Sequence, residues 1–463
     1  MSYNLLEEKW IPVLRSDGTA ERVGIRTALV EAGGIRQIAA SNPMDRVAVL
    51  RFLLALLYWC KGNPPDEGSA VSGNSFPAVW FSKLDDNWDC FNLLGYGKRF
   101  YQDRDAKRSR AATDLIQEIP TGNNFWHFRH SIDQEDGLCP ACCAMGLLRL
   151  PLFSVSGLPD LKSGINGTPP VYVVPWGVSL LATLQANWVT YTDLGEPAWV
   201  QPGIRPTPGQ GVPLLTGLTL LSRRVWLHEP GQSGTCVGCG AENAALIQTC
   251  MFQSAGEQKN DRWNDPHVVY SDATPRKAWK APDLTAAGKF RMDRPWPRLL
   301  ASVIETGKFG FRDKPISLLV VGFATDQAKN IDVWERTIAA PSTESTQGTA
   351  ASLMQQWQKE AERLGKRVAR SEVEGAATIA AIRPHVEGRV SARAGELIAG
   401  TDEAWDRAAA EYRPMMDAIA RSLSPGFTVA AVERRREIAR TLPDMRPRTK
   451  SAGKPRRKKG GNE

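Results

Sequence analysis

The sequence predicts an α+β fold in three parts: a large, irregular mixed domain over residues 1–340, a C-terminal four-helix bundle over residues 341–443, and a basic tail over residues 444–463. Three observations predict this division. Short apolar runs alternate with turn-rich connections from about residue 63 to residue 340, helical periodicity replaces them after Pro341, and residues 446–459 alternate basic side chains with Pro and Gly. A chain of 463 residues also exceeds one ordinary core.

The N-terminal domain begins with a predicted hairpin over residues 8–24, turning at Asp17-Gly18. The Asn42-Pro43 pair then marks a helix start, and the apolar residues 47–60 that follow predict a helix buried on most sides. This apolar stretch contains Arg51 and is shorter than the roughly 20 residues of a membrane span. Later apolar runs at residues 169–174 and 316–321 predict strands of the same mixed domain.

The C-terminal bundle is predicted from apolar residues that recur at spacings of three and four. They are Leu353, Trp357, Ala361, Leu364 and Val368 in one segment and Trp405, Ala408, Tyr412, Met415, Ile419 and Leu423 in another. Further amphipathic stretches near residues 373–394 and 428–442 bring the number of helices to four. The tail beyond them has almost nothing to bury, and we expect it to be disordered when free.

Charge is concentrated at the C-terminal end of the chain. Residues 428–463 hold twelve Lys or Arg and four Asp or Glu, a net charge of +8 that equals that of the whole chain. Such a segment on a neutral body points to a polyanion as partner, with a merely solvated tail as the alternative. Because the N-terminus shows no secretory signal pattern, we expect a cytoplasmic protein, whose eight cysteines favour metal binding over disulfides.

Two CxxC pairs carry the strongest local signal, Cys139 with Cys142 and Cys236 with Cys239. Four thiolates suit one tetrahedral zinc ion, and a two-residue gap lets both sulfurs of a pair reach the same ion. Unliganded buried cysteines are the alternative. Cys143 is another possible ligand, and His127 with His130 could replace one pair; Cys60, Cys90 and Cys250 are interpreted as core residues.

The sequence predicts no catalytic activity. An all-cysteine zinc site leaves no coordination position for water, so the zinc is expected to be structural. With five histidines and no HExxH, GxSxG or Walker A pattern, the sequence gives no support to metalloprotease, hydrolase or NTPase readings. A zinc deaminase would need a His-x-Glu upstream of its Pro-Cys-x-x-Cys, whereas Pro140 here lies between the cysteines.

Several stretches stand in an order found in one known family. They are residues 4–6 with 10–13, residues 138–142, residues 161–164 with 167–169, residues 236–240, Trp263 with residues 265–267, and residues 322–328. This set resembles the CasA family, the large subunit of the type I-E CRISPR surveillance complex Cascade, over most of the chain before the bundle. The resemblance implies a mixed zinc-containing domain followed by a four-helix bundle, and no enzymatic activity.

The resemblance also implies a function and its residues. Such a subunit joins the subunits that hold the CRISPR RNA, recognises the PAM beside a double-stranded DNA target from the minor groove, starts R-loop formation by opening the duplex, and recruits a separate helicase-nuclease. Gln327 matches the family's wedge glutamine, with Asp326 and Ala328 beside it at the PAM. Phe128, Arg129 and His130 match a loop near the PAM end of the complex. Lys162 belongs to another matching stretch.

Two departures from the family bear on PAM preference. Where relatives carry a run of glycines, this chain has residues 157–160, which end in Asp160, and a PAM-contacting lysine of some relatives falls on Ser254, with Lys259 nearby as a possible substitute. The basic stretch over residues 98–110 could hold duplex phosphates, or it could be a solvated loop. The rival interpretation of the whole chain is a stand-alone zinc-containing protein that binds duplex DNA.

Overall fold

The structure is a computed structural model, and the part of the chain that it describes lies almost wholly before residue 340. The described residues are 2–65, 75–117, 119, 137–155, 162–167, 169–207, 209–256, 258–260, 262–268, 270, 285–286, 289–290, 317–326, 329–339, 410, 429 and 432. The chain divides into two compact units, the first formed by residues 1–294 and 302–342 and the second by residues 295–301 and 343–463. The predicted bundle and tail lie outside the described residues, apart from three isolated positions, and stay predictions.

The first unit mixes helices with small antiparallel sheets, as the sequence predicts. The helices are α1 (Ile25–Val30), α2 (Pro43–Lys61), α3 (Ser82–Asp86), α4 (Pro140–Phe153), α5 (Leu180–Asn187) and α6 (Leu214–Thr219), and short 3₁₀ turns cover Ala78–Phe81, Trp88–Phe91 and Ala112–Leu115. None of the helices in the described ranges is both long and apolar enough to cross a lipid bilayer.

The strands pair in groups of two or three. They are β1 (Tyr3–Asn4), β2 (Ile11–Arg15), β3 (Ala20–Val23), β4 (Ile35–Ile38), β5 (Asn92–Leu94), β6 (Ser109–Ala111), β7 (Tyr172–Trp176), β8 (Arg223–Leu227), β9 (Gln232–Gly234), β10 (Ala244–Leu246), β11 (Thr249–Ser254), β12 (Thr285–Ala286), β13 (Lys289–Phe290), β14 (Ser317–Asp326) and β15 (Lys329–Ala339). The three-stranded sheets have the orders β3-β2-β4, β6-β11-β8 and β15-β14-β7. The predicted N-terminal hairpin is confirmed as β2 paired with β3.

Helix α2 is the centre of the core, and the predicted buried helix is confirmed. Asn42 caps its N-terminus by accepting a hydrogen bond from the Met44 amide at 2.8 Å, and Pro43 occupies the first helical position, where a missing N–H costs nothing. Every residue from Val47 to Trp59 is buried. Helices α4, α5 and α6 and the edge of the β15-β14-β7 sheet pack around it.

A buried ion pair ties α2 to a segment more than two hundred residues away. The guanidinium of Arg51 makes two contacts with the carboxylate of Asp265, at 2.6 and 2.9 Å, and Asp265 is completely buried. Since arginine only donates, the His267 Nδ1 atom at 2.8 Å accepts from it, and His267 Nε2 donates to the Asn187 side-chain oxygen at 2.9 Å. This network, here called the Arg51–Asp265 network, fixes residues 263–268 beside β7.

Candidate functional site

The four cysteines of the two CxxC pairs come together in one cluster. The Sγ atoms of Cys139, Cys142, Cys236 and Cys239 all lie within 4.8 Å of one another, and those of Cys139 and Cys239 are 3.8 Å apart. Sulfurs bonded at about 2.3 Å to a tetrahedral ion stand about 3.8 Å apart. The donor set and its spacing therefore fit a metal ion.

The first pair of ligands is positioned by the start of helix α4. Cys139 is the N-cap residue and Pro140 takes the first helical position, so Cys142 falls within the first turn. Helix N-termini favour negative charge, which suits thiolates. The Cys139 amide also donates to the Cys236 sulfur at 3.2 Å and so reaches across to the second pair.

The second pair sits on a tight turn. The Gly240 amide donates to the Cys236 carbonyl at 2.8 Å, and the Cys236 amide donates to the Ala241 carbonyl at 2.9 Å. Gly240 has a φ of +72°, a conformation that residues with side chains disfavour, so a glycine after the second cysteine closes the turn without strain.

Backbone hydrogen bonds also join the two segments, although 93 residues separate Cys142 from Cys236. Leu138 and Ile247 exchange amide-to-carbonyl bonds of 3.0 and 2.8 Å, and the Val237 amide donates to the Gly137 carbonyl at 3.3 Å. Gly137 has a φ of +82°, and a Cβ there would lie 2.5 Å from the Ile247 carbonyl oxygen. The approach of the two backbones therefore requires glycine at this position.

The four thiols of the cluster differ in how readily they ionise. Hydrogen bonding with Cys139 and Cys142 lowers the pKa of Cys236 to about 6 and lowers that of Cys239 as well, whereas hydrogen bonding with Cys139 raises the pKa of Cys142. Arg22 on β3 interacts with the Cys239 sulfur, and this interaction raises the pKa of Arg22. Because four thiolates around a divalent ion leave an excess of two negative charges, a guanidinium at this point offsets part of that charge. Sequence reasoning missed Arg22, which has no spacing relation to the cysteines.

Among the described residues, the other cysteines do not belong to the four-sulfur cluster. Cys143 is fully buried, and burial raises its pKa well above the usual range, as expected of a core thiol. Cys90 and Cys250 are also buried, and Cys60 is half-buried. His127 and His130 lie outside the described residues.

The predicted wedge falls on a long β-hairpin. Strand β14 pairs with β15 along its whole length, from Ser317 opposite Ala339 to Asp326 opposite Lys329, so that only Gln327 and Ala328 connect the two strands. Strand β7 pairs only with residues 317–321 of β14, so residues 322–326 form a two-stranded ribbon with β15 that continues beyond the sheet. The side chain of Asp326, and Gln327 and Ala328 altogether, lie outside the described residues.

The hairpin is anchored at its base. Leu318, Leu319, Val320, Val321 and Phe323 are buried in the core. Arg46 on α2 pairs with Glu335 on β15, with its two terminal nitrogens 3.0 and 3.1 Å from the carboxylate. The predicted strand over residues 316–321 is therefore correct but too short, because the apolar signal ends where the ribbon leaves the core.

Lys162, Ser254 and Lys259 lie around one loop. The Lys162 amide donates to the Ser254 hydroxyl at 3.3 Å, and the carbon chain of Lys259 lies over Gly167, 3.7 Å from where a Cβ would stand. Both lysines are exposed. The buried guanidinium of Arg223 donates to the Lys162 carbonyl and fixes the start of this loop. Phe128, Arg129, His130 and Asp160 lie outside the described residues.

The basic stretch over residues 98–110 is only partly available for phosphate. Arg99 is buried, and its guanidinium donates to the Leu227 carbonyl at 2.8 Å and to Glu229 at 2.5 Å, so its inclusion among phosphate-holding residues is wrong. Lys98 donates to the Val200 carbonyl at 2.8 Å. The charge pattern of a sequence does not distinguish an arginine that is buried by partners distant in sequence from an arginine that is exposed.

Comparison with known proteins gives one consistent result. The family model described as CRISPR-associated protein Cse1 matches residues 4–445. A curated CRISPR-associated protein CasA/Cse1 from Thermus thermophilus is 26% identical over 377 residues, which cover 73% of this chain and 71% of the relative.

Solved structures show the same fold. Cse1 from Acidimicrobium ferrooxidans aligns with a TM-score of 0.72 at 20% identity, covering 96% of this chain and 99% of that one. A chain from a structure described as a CRISPR RNA-guided surveillance complex aligns with a TM-score of 0.59 at 15% identity, covering 95% and 99%. The fold is thus that of a mixed α/β protein, and the family model assigns the chain to the CRISPR-associated class. Because the family model spans nearly the whole sequence, the chain belongs to the Cse1 family, also called CasA.

Proposed function

We propose that this chain is the large subunit of a Cascade-type complex, in which it works in the cytoplasm with the subunits that hold the CRISPR RNA. Membership of the Cse1 family supports this proposal. The likeness in fold to a chain of an RNA-guided surveillance complex adds support, since that chain is matched over 99% of its length.

Within that complex the chain recognises the PAM of double-stranded DNA from the minor groove and wedges the duplex open to start R-loop formation. The observation that carries this proposal is the hairpin of β14 and β15, whose two connecting residues are Gln327 and Ala328. A side chain driven between base steps costs a few kcal/mol of unstacking, which pairing of the guide RNA with the exposed strand offsets. A ribbon anchored at its base suits this task, because the packed core resists displacement of the ribbon when its tip separates the base steps.

Lys162 and Lys259 hold DNA phosphates beside the wedge. Both side chains are exposed, and Lys259 packs over Gly167 of the loop that Lys162 begins; Ser254, where some relatives carry a lysine, accepts a hydrogen bond from the Lys162 amide. Phosphate contacts position a protein on the duplex without reading sequence. Lys259 thus replaces the charge that Ser254 lacks, and PAM preference depends on Gln327, Asp326 and Ala328.

The metal ion in this proposal is one structural zinc, and the chain is not an enzyme. Four cysteine ligands fill a tetrahedral shell, so the zinc stabilises the fold and offers no position for water. DNA is cut by a separate helicase-nuclease that this subunit helps to recruit after the R-loop forms. Divalent-ion-dependent cleavage of DNA by the isolated chain would contradict this part of the proposal.

The principal test compares complexes assembled with CRISPR RNA, with and without this chain, on matched duplexes that differ only in the PAM. We expect PAM-dependent binding to require the chain. Gln327→Ala should weaken binding and duplex opening about tenfold, because the shorter side chain no longer separates the base steps. Duplex opening is measured by the fluorescence of 2-aminopurine placed beside the PAM.

Gln201→Ala is the matched control, since Gln201 is an exposed glutamine in a loop of the same unit. Equal binding with and without the chain would refute the proposed role and leave a zinc-containing DNA-binding protein as the better description.

The two lysines predict a different pattern. Lys162→Ala or Lys259→Ala should weaken binding to all PAM variants equally and reduce the slope of log K against log salt by about 0.9 per lost phosphate contact. The measurement is a salt titration of duplex binding by the assembled complex. A change in PAM preference with an unchanged slope would assign these lysines to base recognition instead.

A further inference from the structure

The structure also has a cleft whose lining includes no residue of the hairpin or of the cysteine cluster, and none of the functions above uses it. It has a volume of about 920 Å³, and its lining includes Tyr96, Arg99, Arg104, Trp226 and Glu229. We call it the Tyr96 cleft. Its size is that of a ligand-binding site rather than a packing defect.

Tyr96 is placed in the solvent by its own loop. The side chain is fully exposed, and it stands between Gly95 and Gly97, which have φ values of +119° and +88°. Two arginines brace this loop: Arg99 donates to the Gly95 carbonyl at 2.9 Å, and Arg104 donates to the Gly97 carbonyl at 3.4 Å. An exposed aromatic ring on a braced loop is prepared for contact with a partner, because little freedom remains to be lost on binding.

The same two arginines cover Trp226 on β8. The guanidinium carbons of Arg99 and Arg104 lie 4.4 and 4.7 Å from the centre of the Trp226 ring system. Tyr96, Arg104 and Trp226 therefore present flat surfaces at the edge of one cleft. Aromatic rings and guanidinium planes are the surfaces on which unpaired bases stack.

The charge of the cleft favours an anion. Arg99 is neutralised by Glu229, whose carboxylate lies 2.5 Å away, so Arg104 supplies the remaining positive charge of the lining residues. The surrounding residues 98–110 carry six basic and two acidic side chains. Of the two acidic side chains, that of Asp103 accepts a hydrogen bond from the Asp105 amide at 2.9 Å and lies 3.5 Å from the Arg224 guanidinium.

We propose that the Tyr96 cleft binds an unpaired nucleotide of single-stranded nucleic acid. The base stacks on Tyr96 beside the Trp226–Arg104 pair, and Arg104 contacts its phosphate. Stacking tolerates any base, so the site holds a strand without reading its sequence. RNA and DNA share this chemistry, and the experiment below distinguishes them. The proposal requires neither the wedge nor the PAM.

The test uses the full-length chain and fluorescein-labelled single strands of roughly six nucleotides, as RNA and as DNA of the same sequence, measured by anisotropy. Tyr96→Ala and Arg104→Gln should each weaken binding about five- to thirtyfold, whereas Tyr96→Phe keeps the ring and should stay within about twofold. Arg36→Gln, which removes an exposed arginine on β4, is the matched control. The strand that binds more tightly identifies the natural ligand.

A cross-link locates the strand directly. Strands containing 5-iodouridine should cross-link to Tyr96 or Trp226 under long-wavelength ultraviolet light, and mass spectrometry of the peptides identifies the site. Binding that Tyr96→Ala leaves unchanged, or cross-links confined to other segments, would overturn the proposal. Strand binding is measured on the chain alone, whereas the wedge is tested with duplex DNA and the assembled complex, so failure of the wedge and failure of the cleft give separate results.

Discussion

Two cross-links hold distant segments of the first unit together, and they depend on different chemistry. The cysteine cluster joins residues 137–143 to residues 236–241 around a position that fits a metal ion, whereas the Arg51–Asp265 network joins α2 to residues 263–268 with protein groups alone. With the proposed zinc in place, the first depends on bound metal and on ionised thiols. The second is present whenever the chain is folded. The comparison teaches that only one of the two can be removed by a chelator.

The largest expected effect comes from loss of the metal-binding cluster. Cys236→Ser should abolish stoichiometric zinc and lower the free energy of unfolding by several kcal/mol, since metal binding to such sites contributes about 10 kcal/mol or more in small zinc domains. Metal analysis and thermal unfolding, with and without a chelator, measure this. Cys60→Ser, outside the cluster, should keep the zinc. A melting temperature that a chelator leaves unchanged would contradict the prediction.

Breaking the buried ion pair should have the next largest effect. Arg51→Met leaves the completely buried Asp265 carboxylate without its guanidinium, which costs about 3–5 kcal/mol. Urea unfolding measures the loss. Arg26→Met is the matched control, because its partners Glu7 and Asp85 are exposed, and it should cost less than about 1 kcal/mol. The double variant Arg51→Met with Asp265→Asn should cost less than the sum of the two single changes.

Acid should separate the two cross-links. Burial opposes ionisation of Asp265, but Arg51 outweighs it and lowers the pKa of Asp265 to about 2. A carboxylate whose pKa is lower in the folded state than in the unfolded state stabilises the fold fully above its ordinary pKa, which is near 4. For Asp265 this stabilisation is about 2 kcal/mol, and it is lost as the pH falls from about 4 to about 2. The cysteine ligands become protonated at a higher pH than Asp265 does, so on acidification zinc should be released before the ion pair is lost.

A chromophoric chelator follows zinc release against pH, and urea unfolding of the parent and of Asp265→Asn follows the ion pair. The stability difference between these two proteins should be constant above pH 4 and shrink below it. A constant difference down to pH 2.5 would show that Arg51 does not act through the charge of Asp265.

The smallest effect sharpens the comparison within the cluster itself. Gly240→Ala places a side chain at a φ of +72° in open space, with no atom within 4 Å, so only backbone strain of about 1 kcal/mol is expected. Zinc content should not change. A drop in bound zinc, measured by metal analysis, would show that the turn tolerates no distortion while holding its ligands.

The two cross-links also show what could be predicted from the sequence. The cysteine pairs and the Asn42-Pro43 helix start are local patterns, in which the residues that interact are neighbours in the chain. Arg51 and Asp265 are 214 residues apart, and Arg51 appears in the sequence only as an interruption of an apolar run. Neither alternative for the 98–110 stretch, phosphate binding or a solvated loop, foresaw the burial of Arg99, because its partners Glu229 and the Leu227 carbonyl are remote in sequence.

The hairpin illustrates a different limit. The apolar run predicts strand only to residue 321, and residues 322–326 are strand because β15 supplies hydrogen bonds along their whole length. Pairing of this kind depends on a partner strand, which a single stretch of sequence does not reveal. The position of Gln327 between the two strands was therefore not visible until the register was known.

The ribbon of β14 and β15 has a consequence for how this protein can change over evolutionary time. Five residues of strand carry the chain about 17 Å beyond the last pairing with β7. Under the proposed function, substitutions among the connecting residues change which flanking DNA is accepted at little thermodynamic cost to the core beneath. Target choice can then vary from one descendant to the next while the same scaffold continues to meet the requirement to fold.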